Sequence, residues 1–125
     1  MRFGQGHDLE AYGPETVGAP AHRQLAREAA AKSIVLLKNE GSVLPLAGRG
    51  KIAVVGRLAD QPNTGDGGSS DTHPDYVVTP LAGLREAFTD SATVVYDDGS
   101  DEARAARAAQ GADAAVVVGG YTHAD

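Results

Sequence analysis

Three short β-branched runs, separated by two segments that carry helix signals, do most to limit what this chain can fold into. They are Lys51-Ile-Ala-Val-Val-Gly56, Ala92-Thr-Val-Val-Tyr96 and Asp113-Ala-Ala-Val-Val-Val-Gly-Gly120. A continuous apolar run, unlike an alternating one, marks a strand covered on both faces, as in parallel sheets. Between the first two runs, Thr79-Pro80 offers an N-cap hydroxyl and a proline at the first helical position, and Leu81, Leu84 and Phe88 fall on one helical face. Between the second and third, Ser100 can cap a helix whose first turn holds Asp101 and Glu102, both favourable at the positive end of its dipole, and Gly111 ends it. Strand, helix, strand, helix, strand is the pattern of a parallel sheet with right-handed crossovers. If the strand order is 2-1-3, the loop after the first strand lies beside Tyr121-Thr-His-Ala-Asp125 at the switch point between strands 1 and 3, where open α/β sheets hold their ligands.

That loop contains Gly65-Asp-Gly-Gly-Ser-Ser70. Gly65, Gly67 and Gly68 allow positive φ and close ligand approach, and the Ser69 and Ser70 hydroxyls can donate or accept hydrogen bonds. A solvated connection would use the same residue types.

Residues 1–20 hold Gly4, Gly6, Gly13, Gly18, Pro14 and Pro20 with little apolar periodicity, and read as a linker or the tail of a preceding unit; a disordered terminus explains them equally well. From Ala21 to Ser33 strong helix formers take over, with Glu28 and Lys32 oriented for an i,i+4 pair. Ile34-Val-Leu-Leu37 either prolongs that helix or forms a short strand. The strand is favoured, because Val43-Leu-Pro-Leu46 beyond the turn offers a partner whose Pro45 suits only an edge. The expected fold is therefore α/β: a partial α/β sandwich with a mainly parallel sheet of about three strands, a short edge hairpin, and helices on both faces.

Composition removes several classes of function. At 125 residues the chain is one domain or part of one. A net charge of −6 and eleven dispersed Lys and Arg residues leave no basic stripe, which argues against nucleic acid and anionic membrane as partners. With no cysteine, neither a disulfide framework nor a thiolate metal site is available. No apolar run reaches the length of a membrane span, and Met1 to Asp8 contains no hydrophobic segment of the signal-peptide kind.

The chemical motifs are mostly negative. A dinucleotide fingerprint joins its strand directly to a helix. Here Gly56 is followed by Arg-Leu-Ala, and Pro74 and Pro80 intervene before any helix, although Asp97 mimics the ribose-binding acid. No Gly-Lys-Ser/Thr marks a P-loop and no Gly-x-Ser-x-Gly marks a nucleophile elbow. His7, His22, His73 and His123 are too scattered for a helical or hairpin metal site. His73 and His123 could meet Asp71, Asp75 and Asp125 at the crevice, but loop residues contacting solvent are the simpler account.

Two stretches together carry a resemblance. His22 to Gly41, with Leu44-Pro-Leu46 and Lys51 to Gly56, closely resembles the start of the second, α/β-sandwich domain of glycoside hydrolase family 3, the β-glucosidase family. Gly67-Gly-Ser-Ser-Asp-Thr-His-Pro74, Tyr76 and Thr79 to Leu84 resemble that domain's glycine-serine loop and next helix, and Arg2-Phe-Gly4 resembles the end of the preceding barrel. The resemblance implies that residues 1–20 are a linker or the tail of an upstream (β/α)8 barrel, and that residues 21–125 are the N-terminal part of the sandwich domain. It also implies a retaining, exo-acting β-glycosidase, in which a barrel aspartate attacks the anomeric carbon and a glutamate of the second domain protonates the leaving oxygen. Neither is expected in this chain: one belongs to the barrel, the other to a position just past Asp125. No catalytic residue and no cofactor is therefore assigned here. Ser69 matches the serine that approaches the bound sugar, and Gly67, Gly68 and Asp71 would shape that approach. The implied partners are a carbohydrate substrate and the barrel of the same enzyme. Fewer strands than the family's sheet would leave an edge and an apolar face open to self-association. The alternative is a free-standing α/β carbohydrate-binding or scaffold module without the chemistry, which sugar binding by the isolated chain would favour.

Overall fold

The computed structural model describes residues 13–65 and 67–122, so Arg2, Phe3, Gly4, His7, His123 and Asp125 lie outside the described residues. The chain divides into two units, residues 1–38 and 39–125. In the first, α1 (Pro20–Ser33) begins with proline at its first turn, where a missing N–H costs nothing. Lys32 Nζ meets Glu28 Oε1 at 2.5 Å on its exposed surface. Beyond Ser33 the backbone turns extended, with Ile34 at φ −69° and ψ 126°.

The edge hairpin expected of Ile34–Leu37 and Val43–Leu46 does not form: neither run is a strand. The reason lies in Asn39. Its side chain donates to the Leu44 carbonyl at 2.9 Å and accepts the Leu44 N–H at 2.9 Å, occupying both backbone groups that a partner strand would need. Pro45 has no N–H to offer in their place.

The second unit holds the sheet. β1 (Gly50–Val55), β2 (Ala92–Asp97) and β3 (Ala114–Val117) are all parallel, in the order β2-β1-β3. That is the 2-1-3 order the sequence raised as a condition, with β1 central and most deeply buried. α2 (Pro80–Ala87) connects β1 to β2, and α3 (Glu102–Ala109) connects β2 to β3. Because the two crossovers step in opposite directions, right-handedness puts their helices on opposite faces. Side-chain parity agrees. Ile52 and Val54 pack with Leu81 and Leu84 of α2 and with Phe88 at its C-cap, whereas Asp97, paired with Val55 on the other parity, is held by Arg104 of α3. Leu81 is completely buried, so Leu81→Ala should cost about 2–5 kcal/mol.

Both helix starts have side-chain caps, one of them displaced from expectation. Thr79 Oγ1 accepts the Ala82 N–H at 3.2 Å, as its position before Pro80 predicts. For α3 the cap is Asp101, whose Oδ1 accepts the Arg104 N–H at 2.7 Å, and not Ser100. Ser100 Oγ instead donates to Asp98 Oδ1 at 2.8 Å. Past the C-cap Gln110, Gly111 takes φ 70°, the left-handed conformation that ends a helix at glycine.

Candidate functional site

At the carboxyl ends of the strands, three backbone paths meet at Gly56. Its N–H donates to the Asp97 carbonyl at 2.9 Å, linking β1 to the end of β2. Its φ of 121° and ψ of 141° suit glycine almost alone, and a Cβ there would strike the Val118 carbonyl oxygen. Val118 N–H in turn donates to the Val55 carbonyl at 2.8 Å. The loop leaving β1 is thereby pressed against the segment leaving β3, at the switch point of the sheet.

A short 3-10 turn at Arg57–Ala59 buries Ala59 and sends the chain out into the glycine-serine loop. That loop is closed at its base by two reciprocal bonds: Thr64 Oγ1 donates to the Thr72 carbonyl at 3.3 Å, and Thr72 Oγ1 to the Thr64 carbonyl at 3.0 Å. Inside it, Asp71 Oδ1 accepts the Gly67 N–H at 2.9 Å. Gly65 lies against Asp71, where any side chain would collide with its carboxylate and backbone. Gly67 and Gly68 take φ of 94° and 74°, and Gly68–Ser70 forms a 3-10 turn. Ser69 sits in this turn, exposed, with no hydrogen bond to its side chain among the described residues. The loop is thus ordered by its own threonines and Asp71, and it presents an uncommitted hydroxyl.

The structure brings Gly67, Gly68, Ser69 and Asp71 together in one turn, and it joins that loop to the β3 extension. Asn63 Nδ2 donates to the Tyr121 carbonyl at 3.3 Å. The leucine of the first turn adds a second contact, since Leu58 Cδ1 lies 3.2 Å from where a Cβ on Gly120 would stand. Asn63 was not singled out in the sequence; a contact spanning 58 positions leaves no local signal.

The other strand end is organised by Arg104. Its Nε donates to Asp97 Oδ2 at 2.6 Å and its Nη2 to Ser100 Oγ at 3.0 Å and to Asp98 Oδ1. The Arg104 hydrogen bond, seconded by the Gly99 N–H at 2.8 Å, holds the Asp97 carboxyl below the usual range. Asp98 is lowered chiefly by the Ser100 N–H and hydroxyl. Asp97 therefore has a structural partner in place of a ribose. Beside it opens a cleft of about 340 Å³ lined by Arg57, Asp60, Gln61, Tyr96, Asp98 and Ser100. Burial, with Asp60, Asp98 and Asp97 nearby, pushes the Tyr96 phenol up, so it stays neutral. None of Gly67, Gly68, Ser69 or Asp71 lines this cleft, so the cleft and the glycine-serine loop are separate features.

Among the described residues, no group of three or more His, Cys, Asp or Glu side chains could hold a metal ion. No helix among them is long and apolar enough to cross a membrane.

Fold and loop together define an open α/β domain with a polar, glycine-shaped loop at its switch point. The model of the glycosyl hydrolase family 3 C-terminal domain matches residues 34–125, and the chain belongs to that family. Thermostable beta-glucosidase B of Acetivibrio thermocellus is 40% identical over 110 residues, covering 80% of this chain and 15% of the relative. Periplasmic beta-glucosidase of Salmonella typhimurium is 44% identical over 81 residues, covering 64% of this chain and 11% of the relative. Beta-glucosidase B of Emericella nidulans is 37% identical over 90 residues, covering 69% of this chain and 10% of the relative. The chain thus spans between 10% and 15% of the length of these relatives.

Proposed function

We propose that this chain forms one wall of the active site of a retaining, exo-acting β-glycosidase of β-glucosidase type, which removes terminal β-linked sugars. The observation that carries the reading is the exposed Ser69 hydroxyl, free of described partners, on a loop closed by Thr64, Thr72 and Asp71 at the switch point of a family 3 domain. Ser69 hydrogen-bonds a sugar hydroxyl; Gly67 and Gly68 let the ring approach the backbone; Asp71 holds the turn in shape. The nucleophilic aspartate and the proton-donating glutamate belong to polypeptide outside these residues, so residues 21–125 act with a (β/α)8 barrel as partner domain and residues 1–20 join the two.

The relatives named above are all β-glucosidases, which weighs against a free-standing carbohydrate-binding or scaffold module. The test is Ser69→Ala in the intact enzyme carrying this segment. Losing a sugar hydrogen bond should weaken recognition by about 1–3 kcal/mol and raise KM for an aryl β-glucoside. Unchanged kinetics would remove Ser69 from the site.

A further inference from the structure

We infer that Asn63 is a positioning residue of the proposed sugar site: it ties the stem of the Ser69 loop to the segment leaving β3 and so sets the place of the Ser69 hydroxyl. The inference rests on the reading of that loop as the sugar-contacting element. Thr64 and Thr72 close the loop by reciprocal bonds at 3.3 Å and 3.0 Å, and Asp71 braces its turn through the Gly67 N–H. These bonds fix the loop's shape, but none of them reaches the sheet. Its placement therefore depends on the two stems that carry it. The returning stem, residues 73–78, contains no helix or strand. The outgoing stem is shorter and is held at both ends. At its start Asp60 Oδ1 accepts the Thr79 hydroxyl at 3.4 Å, and at its end Asn63 Nδ2 donates to the Tyr121 carbonyl at 3.3 Å. Pro62, with φ fixed by its ring, stiffens the run between them.

The acceptor is anchored in its turn. Val118 N–H donates to the Val55 carbonyl at 2.8 Å, the Val118 carbonyl lies where a Cβ on Gly56 would stand, and Leu58 Cδ1 lies 3.2 Å from the Cβ position of Gly120. The exits of β1 and β3 thus run side by side, with Gly56 by Val118, Leu58 by Gly120 and Asn63 by Tyr121. Asn63 makes the last of these contacts, directly before Thr64 begins the closed loop, so a shift at Asn63 carries the loop and Ser69 with it. An amide suits the task. The Tyr121 carbonyl can only accept, and the asparagine NH2 can donate to it; an aspartate of the same shape offers only acceptors when ionised and would repel it. Because the bond is exposed, its loss should register in where the loop sits more than in whether the domain folds.

The experiment uses the intact enzyme carrying this segment, with an aryl β-glucoside as substrate, and compares Asn63→Ala, Asn63→Asp, Ser69→Ala and the double variant of Asn63→Ala with Ser69→Ala. Asn63→Ala should raise KM by about twofold to fivefold and change kcat less, with a melting temperature near that of the parent. Asn63→Asp keeps the size and removes the donor, so it should raise KM at least as much. The double variant should match Ser69→Ala, because a residue that acts by placing Ser69 has nothing left to place. Multiplied KM effects in the double variant would show that Asn63 acts elsewhere and overturn the proposal. Parent-like KM in Asn63→Asp would assign the effect to packing and overturn it as well. An unchanged KM in Asn63→Ala while Ser69→Ala raises it would overturn the proposal and leave the loop's own role standing. A silent Ser69→Ala would remove the reading of the loop, and the role of Asn63 would fall with it.

Discussion

Asp71 Oδ1 accepts the Gly67 N–H at 2.9 Å, and Gly65 lies flat against the same carboxylate. A side chain that the sequence marks as a site residue thus acts on the loop's shape from within. Asp71→Ala should release the Gly67 amide, with a local loss of about 1 kcal/mol and roughly tenfold faster hydrogen exchange at that position. Asp71→Asn keeps an acceptor oxygen and should exchange near the parent rate. Amide exchange measured by NMR separates the two.

Gly56 is irreplaceable for two independent reasons, its φ of 121° and the Val118 carbonyl that occupies the Cβ position. Backbone strain of this kind alone costs about 1–3 kcal/mol, and the contact with a carbonyl adds to it. Gly56→Ala should lower the melting temperature far more than Gly68→Ala, because a Cβ at Gly68 meets nothing within 4 Å. Equal shifts in a thermal melt would contradict the packing described at the switch point.

Arg104 and Asp97 make stability depend on pH at the acid end. The folded Asp97 carboxyl is held down by the guanidinium and by Gly99 N–H, so its contribution is complete above the ordinary carboxylate value of about 3.9. It is lost as pH falls through the lowered folded value. Denaturant unfolding at pH 7 and pH 3 should show the parent losing stability in acid. Arg104→Met should be weaker at pH 7, where Asp97 stays buried with the Gly99 N–H but without its charge partner, and should show a flatter acid profile. Parallel profiles would dissociate the pair from stability.

The sheet carries strands β2 and β3 on its two edges, and Val117 of β3 is 75% exposed. Unpaired edges and open apolar surface favour association between copies. The isolated chain should therefore show concentration-dependent sedimentation and a weak thermal transition, and Val117→Lys should reduce the association. A stable monomer with a sharp melt would overturn this.

Much of this fold was legible in the residues because each signal was local. β-branched runs gave the strands, Thr79-Pro80 gave the start of α2, and Leu81, Leu84 and Phe88 gave its buried face. Where a polar side chain had two possible partners, local reading failed. Ser100 was a plausible helix cap but bonds Asp98, leaving Asp101 to cap. Ile34–Leu37 and Val43–Leu46 looked like a hairpin until Asn39 took both backbone groups of Leu44. The glycine-serine loop was visible as a cluster, yet its closure by Thr64 and Thr72 and its tie from Asn63 to Tyr121 depend on the tertiary path of the chain.

The most direct test of the central claim is hydrolysis of an aryl β-glucoside by the purified 125-residue chain, set beside the intact enzyme under the same conditions. A wall of the site without its nucleophile and acid should release no phenol above the buffer rate while the intact enzyme turns over. Turnover by the isolated chain would contradict the account.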